Sequence, residues 1–306
     1  MRTVMLEKLP TEQPNPASTS IDALPTEAAL RIINAEDHRV AEAVEREIPA
    51  IARAVDLIVA AFGCGGRLFY IGAGTSGRLG VLDAVECPPT FGTPPEMVQA
   101  IIAGGQAALS GAAETTEDDP ATGARDLRAC GFGSADVLVG IAASGRTPYV
   151  LGAVAEARKM GAATVGISAT PGSKLARAVD CAITPLTGPE VVTGSTRMKA
   201  GTAQKLVLNM LTTAAFIRLG YVYGNLMVNV QPKNAKLADR ARRILAQAAG
   251  IAPQRAVELL AAAGGSVAVA ILMGKAGIGR ADAERRLAEA GGRISEAIRN
   301  CERIHG

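Results

Sequence analysis

Three short segments carry most of the chemistry this sequence offers: Gly72-Ala73-Gly74-Thr75-Ser76-Gly77, Ala143-Ser144-Gly145-Arg146-Thr147-Pro148 and Thr193-Gly194-Ser195-Thr196-Arg197-Met198-Lys199. Each combines hydroxyls with glycine. Unpaired backbone N–H groups at a helix N-terminus, with hydroxyl donors beside them, suit a compact anion such as a phosphate monoester. The first segment also matches the G-x-G-x-x-G dinucleotide fingerprint. That fingerprint wants an acid at the end of the next strand to hold a ribose hydroxyl, and the next strand ends Ile101-Ile102-Ala103-Gly104-Gly105. No Gly-Lys-Ser/Thr follows. The segment therefore reads as a phosphate anchor, ahead of a nicotinamide site or a ligand-free glycine turn.

In the second segment Ser144 and Thr147 precede the helix that Pro148 opens. One of them serving only as N-cap is the plain alternative. In the third, Ser195 or Thr196 reads equally well as an N-cap. Arg197 and Lys199 are the cations that would meet a phosphate or a carboxylate, while Lys205 and Asn209 further along read as structural.

Two acids follow. Glu86 stands in Glu86-Cys87-Pro88-Pro89, just past the expected helix after the first loop. A carboxylate held stiffly by prolines beside an apolar turn suits a general acid with a raised pKa. Glu117, in Glu114-Thr115-Thr116-Glu117-Asp118-Asp119-Pro120, reads as part of a solvated acidic loop, and no spacing joins it to Glu86. Cys87 reads as a bystander thiol, since both histidines, His38 and His305, are distant in sequence.

These residues need a scaffold. Short apolar runs at Arg67–Ile71, Met97–Ile102, Val137–Ala142, Ala163–Ile167 and Cys181–Thr184 alternate with helical segments such as Tyr149–Met160. That alternation predicts an α/β fold, a parallel sheet sandwiched by helices, with ligands at the carboxyl ends of the strands. Residues 1–24, rich in Pro, Ser, Thr and Asn, read as an extended arm, and 25–235 as the anion-binding domain. A long helix is expected over Thr196–Leu219. Residues 236–306 read as a small helical domain, with turns at Gly264-Gly265 and Gly291-Gly292.

Composition removes several classes. The formal charge is +3 with scattered cations, Trp is absent, and aromatics make up 3%. Neither a nucleic-acid surface nor a stacking platform is expected. Five cysteines without a Cys-x-x-Cys speak against a disulfide framework or a structural zinc site. The longest apolar run, Val267–Met273, is too short to span a bilayer, and no leader pattern opens the chain. A cytoplasmic protein without membrane attachment is the simplest expectation.

Taken in order, the motifs resemble the N-acetylmuramic acid 6-phosphate etherases. The resemblance runs from Thr11 to at least Lys236. It rests on Ile32-Ile33-Asn34-Ala35-Glu36-Asp37, Tyr70 through Gly80, Glu86 through Gly92, Ser144 through Val150, Gly194 through Thr202 and Asn225 through Val230. It implies a sugar isomerase (SIS) domain of flavodoxin-like type that binds a phosphosugar as a homodimer, with no metal or organic cofactor. It also implies cleavage of a lactyl ether to N-acetylglucosamine 6-phosphate and D-lactate. The family's two catalytic acids fall on Glu86 and Glu117, which reverses the solvated-loop reading of Glu117. The phosphosugar contacts expected from the loops are Gly74, Thr75, Ser76, Ser144, Gly145, Thr147, Ser195 and Lys199. An aldose–ketose isomerase and a non-catalytic phosphosugar sensor are the rival readings. Arg146 stands where isomerases of this domain type usually carry an acid, and retention of both glutamates speaks against a sensor. A partner chain completing the pocket with Glu36 or His38 is also open; the plain alternative for both is a solvated helix face.

Overall fold

A computed structural model of the chain describes residues 9–111, 116–230 and 235–305. The chain forms two compact units, one from residues 1–85 and 95–212, the other from 86–94 and 213–306. Parts of the expected arm, the acidic loop (Glu114 and Thr115) and the segment 231–234 before the expected C-terminal domain lie outside the described residues.

In the first unit, α1 (Thr26–Glu45) and α2 (Ile48–Gly63) precede β1 (Leu68–Gly72), α3 (Gly74–Phe91) and β2 (Val98–Ile102). Then come α4 (Pro120–Ala129), β3 (Val137–Ile141), α5 (Pro148–Lys159), β4 (Ala163–Ile167), α6 (Lys174–Ala178), β5 (Cys181–Ile183) and α7 (Lys199–Arg218); α3 from Glu86 onward and α7 from Thr213 onward fall in the second unit. Every expected strand is present within one residue at each end. All pairings are parallel, in the order β2-β1-β3-β4-β5. Strand alternation divides the sheet into two faces. Phe69, Ile71 and Leu138 pack with Leu127, Tyr149, Val150, Val154 and Leu175 from α4, α5 and α6. Tyr70 points the other way, and its hydroxyl donates to Asp83 of α3 at 2.8 Å. A Cβ on Gly80 would lie 3.0 Å from Tyr70 Cβ, so this glycine sets how closely α3 approaches the strand.

The strand order reverses between β1 and β3. The loops leaving these two neighbours therefore part to opposite faces and open a crevice at their carboxyl ends. The first two hydroxyl segments are those two loops.

The expected arm is not simply extended. Residues 9–24 form three single-turn 3-10 helices, and Leu9, Thr11, Asn15 and Ser18 are buried. Ser18 Oγ donates to Val191 O at 2.8 Å, and Asn15 Nδ2 donates to Pro189 O at 3.0 Å.

In the second unit, α8 (Ala235–Ala249), α9 (Pro253–Ala262), α10 (Val267–Ala276), α11 (Arg280–Glu289) and α12 (Ile294–His305) enclose one apolar core. The turns at Gly264-Gly265 and Gly291-Gly292 all take positive φ, where a side chain would be strained. Among the described residues no single helix is long and apolar enough to cross a membrane.

Candidate active site

The first loop is a single residue, Ala73, between β1 and α3. Its three glycines have separate physical reasons. A Cβ on Gly72 would lie 2.7 Å from Gly77 N, and one on Gly77 would lie 2.6 Å from Ile102 Cγ1, while Gly74 has φ +52°. The strand can turn this sharply into the helix only without side chains there. The leading N–H groups of α3 lack partners within the helix, and Thr75 and Ser76 stand among them. Ser76 is buried and donates its hydroxyl to Gln204 Oε1 of α7 at 2.9 Å. A Cβ on Gly201 would lie 3.4 Å from Thr75 Cγ2. The first loop and the start of α7 are thus in contact.

The second loop is equally constrained. Gly145 has φ +62°, and a Cβ there would fall 2.2 Å from Ser173 Oγ. Arg146 N donates to Ser144 Oγ at 3.3 Å. Thr147 occupies the N-cap position of α5 but makes no capping bond, so its hydroxyl is not committed to the helix as the plain alternative required. Ala143, Ala169 and Ala200 form a small cluster that brings this loop, the loop after β4 and the start of α7 together.

Glu117 belongs to this neighbourhood. Its backbone carbonyl accepts the Tyr149 amide at 3.0 Å. The acidic loop is more than a solvated run: Asp119 Oδ1 accepts from Ala121 N at 2.9 Å, capping α4, and Pro120 takes the first helical position. Helices α4 and α5 pack at backbone distance, since a Cβ on Gly152 would lie 1.9 Å from Pro120 O and one on Gly123 1.9 Å from Tyr149 O. Tyr149 donates to Asp126 Oδ2 at 2.8 Å. Burial and this carboxylate push the Tyr149 hydroxyl well above its ordinary pKa, so it stays protonated.

The third segment departs from expectation. Helix α7 begins at Lys199, and neither Ser195 nor Thr196 caps it. The Glu190 carboxylate does, accepting Lys199 N and Ala200 N at 2.9 Å each. Ser195 is half-buried in the preceding turn. The Lys199 side chain is 1% exposed and its ammonium is paired with Glu36 Oε2. Glu36 also accepts from Asn15 Nδ2 at 2.8 Å and from Arg39 at 2.9 Å. Burial alone would raise the Glu36 pKa; Lys199, Asn15 and Arg39 together outweigh it and hold the carboxyl below its ordinary value. Glu36 is therefore not on a solvated helix face, and Lys199 already has its anion. His38 is exposed, with Nδ1 2.7 Å from Asn34 O.

Glu86 departs too. It lies inside α3, which continues through Pro88 and Pro89 to Phe91. The prolines sit in the last turns, where the helix tolerates loss of the two N–H groups that would have reached Ala84 and Val85. Gly92, at φ +70°, follows the last helical residue. Glu86 is exposed, so the stiff apolar surround expected for it is absent. It stands ten positions along α3 from Ser76, about 15 Å of helix. It belongs to the second compact unit, whereas Glu117 belongs to the first. Cys87 is buried, as a bystander thiol should be.

The model of the glucokinase regulatory protein N-terminal SIS domain matches residues 50–158, and that of the SIS domain matches residues 132–214. An N-acetylmuramic acid 6-phosphate etherase of Aeromonas hydrophila is 57% identical over 276 residues, covering 90% of this chain and 93% of its own length. The chain belongs to the N-acetylmuramic acid 6-phosphate etherase family. A second member, from Photorhabdus laumondii, is 56% identical over 275 residues, with 90% and 91% covered. Among solved structures, a phosphoheptose isomerase from Neisseria gonorrhoeae aligns over 62% of this chain and 98% of its own, with TM-score 0.45 and 20% identity. That likeness is too distant to carry an argument.

For this etherase-family chain, two residues of the crevice went unread in the sequence. Glu190 precedes its helix by nine positions, outside any capping spacing. Gln204 shows no motif of its own and gains meaning only from Ser76, 128 residues earlier. Among the described residues no group of three or more His, Cys, Asp or Glu could hold a metal ion.

Proposed function

We propose that the chain is a carbon–oxygen lyase that cleaves the D-lactyl ether of N-acetylmuramic acid 6-phosphate, giving N-acetylglucosamine 6-phosphate and D-lactate. The observation that carries this is 57% identity to an etherase across nine-tenths of the chain. The hydroxyl loops at the switch point of the sheet support it, because a phosphate monoester needs such donors.

An ether is a poor leaving group, so direct displacement is slow. In the open-chain sugar the C1 aldehyde makes the C2 proton removable. A carboxylate takes that proton, the C3–O bond breaks, and an acid protonates the departing lactate oxygen. Water then adds its oxygen to C3 and a proton returns to C2, so sugar and lactate are both released intact. Each general acid–base step contributes about a hundred- to ten-thousand-fold. Glu86 is assigned as the proton donor to lactate, and Glu117 serves as base or activates water. Gly74, Thr75, Ser76, Ser144, Gly145 and Thr147 hold the 6-phosphate, so that remote binding energy fixes geometry at C2 and C3. Ser195, half-buried in the turn before α7, is assigned to the same anion. Lys199 acts through its pairing with Glu36, which fixes the start of α7. In this reading residues 25–235 form the phosphosugar domain, 236–306 a helical accessory domain, and the enzyme is a cytoplasmic homodimer.

The test is incubation of the protein with N-acetylmuramic acid 6-phosphate in oxygen-18 water. Lactate release with label at C3 of the sugar is the expected result. Unchanged substrate removes the lyase reading, and label in lactate means that a different bond is cut.

A further inference from the structure

Gln204 carries an anomaly. Its side chain is buried, with the residue 2% exposed, and Oε1 accepts the Ser76 hydroxyl at 2.9 Å. Its Nε2 is also buried and has no hydrogen-bond partner among the described residues. Buried polar groups almost always have partners, and an orphaned N–H is rarer than an orphaned carbonyl. The carboxamide thus holds its donor end idle while its acceptor end consumes the proton of a hydroxyl in the anion loop.

A serine hydroxyl has one proton to give and two lone pairs to accept with. While Ser76 donates to Gln204 it has no donor for an anion. Rotating the carboxamide by half a turn preserves its shape and exchanges Nε2 with Oε1. Nε2 then donates to Ser76 Oγ, and the serine proton is released toward the crevice. The idle N–H finds a partner while Oε1 loses its own, and the freed serine proton gains an acceptor only when an anion stands in the crevice. A carboxamide suits this exchange because a half turn swaps its donor and acceptor ends, which neither Met nor an ionised Glu of similar length can do.

We infer that Gln204 is a positioning residue whose carboxamide reverses when a phosphate monoester binds, so that Ser76 donates to the phosphate only in the loaded state. The inference rests on the reading of the first loop as a phosphate anchor. It adds that the anchor's strength is set from α7, by a residue that does not touch the ligand.

The experiment is a double-mutant cycle on the full chain with Ser76→Ala and Gln204→Met, reading affinity for N-acetylglucosamine 6-phosphate by calorimetry and melting temperature in parallel. One charge-assisted hydrogen bond corresponds to about ten- to a hundredfold in affinity. Ser76→Ala should weaken binding by about that much and Gln204→Met by about three- to tenfold. The double variant should be no weaker than Ser76→Ala alone. Gln204→Glu keeps the shape but can only accept, so it should weaken binding more than Gln204→Met while kcat changes less than affinity. A purely structural Gln204 would lower the melting temperature and leave affinity alone, which would overturn the inference, as would penalties that multiply in the double variant. If Ser76→Ala itself leaves affinity unchanged, the anchor reading falls and the inference with it; if Ser76→Ala weakens binding and Gln204→Met does not, the inference alone falls.

Discussion

The main-chain carbonyl of Glu117 accepts the amide proton of Tyr149 at 3.0 Å, which fastens the acid to the first turn of α5, just past the loop Ser144–Thr147. The bond uses backbone atoms, so replacing the side chain at 117 by its amide isostere leaves this bond in place. Glu117→Gln should therefore keep its fold and bind N-acetylglucosamine 6-phosphate within about threefold of the parent. Its kcat should fall by at least about a hundredfold, the loss expected of a missing base. Steady-state kinetics beside calorimetry check this, and near-normal turnover would remove Glu117 from the chemistry.

The same attachment depends on how closely α4 meets α5. Gly152→Ala places a methyl group on Pro120 O, and neither backbone can yield without moving the α4 cap and the loop before it. The expected cost is about 2–3 kcal/mol of stability, with a fall in kcat larger than any change in product affinity. Chemical denaturation and kinetics on one preparation separate the two effects.

Glu86 offers a contrast, because it is exposed on α3 and its replacement breaks no packing. Glu86→Gln should stay within about 0.5 kcal/mol of parental stability and still bind the product. Lactate release should fall by about a hundredfold or more. A variant that still releases lactate at the parental rate would move the proton donor elsewhere.

Lys199 and Glu36 form a buried ion pair, with Asn15 and Arg39 on the same carboxylate. Glu36→Gln leaves the ammonium without its anion and should cost about 3–5 kcal/mol. The folded carboxyl titrates below its ordinary value of 4.5. Its stabilisation is therefore complete above that value and is lost as pH falls through the lowered folded one. Melting temperature measured from pH 7 down to 3 should drop more steeply for the parent than for Glu36→Gln; parallel curves would contradict the pairing.

Asp83 runs the other way. Burial raises its carboxyl above the ordinary 3.8, and the hydrogen bonds from Tyr70, Asn209 and Thr212 and the field of Lys205 only partly offset this. Between 3.8 and the raised folded value the native state holds more protons than the unfolded chain, so this group costs stability as pH rises through that window. Asp83→Asn should remove that slope from the melting curve while keeping a partner for Tyr70 and Asn209.

Periodicity and turn residues made the sheet legible, because each strand of the first unit is an apolar run bounded by glycine or by polar residues. The glycines of the two loops were legible for the same reason: a tight turn excludes side chains wherever it occurs. Glu86 was placed past the end of α3 because a proline pair ordinarily closes a helix before it. Here the pair falls in the last turns, where the lost amides matter little. The environment of Lys199 was illegible, since its partner Glu36 lies 163 residues away and nothing local distinguishes a buried lysine from a phosphate-binding one. Glu190 and Gln204 escaped notice likewise, their meaning depending on which elements the fold sets side by side.

The docking of Asn15 and Ser18 on residues 189–191, and of Glu36 on Lys199, also orders events during synthesis. Asn15, Ser18 and Glu36 leave the ribosome well ahead of their partners, since the carbonyls at 189–191 and the ammonium of Lys199 emerge more than 150 residues later. At about 5–20 residues per second this is a wait of roughly ten seconds or more. Until then Glu36 and Asn15 are solvated. The first described stretch of the chain thus finds its place only when the far side of its unit has been made.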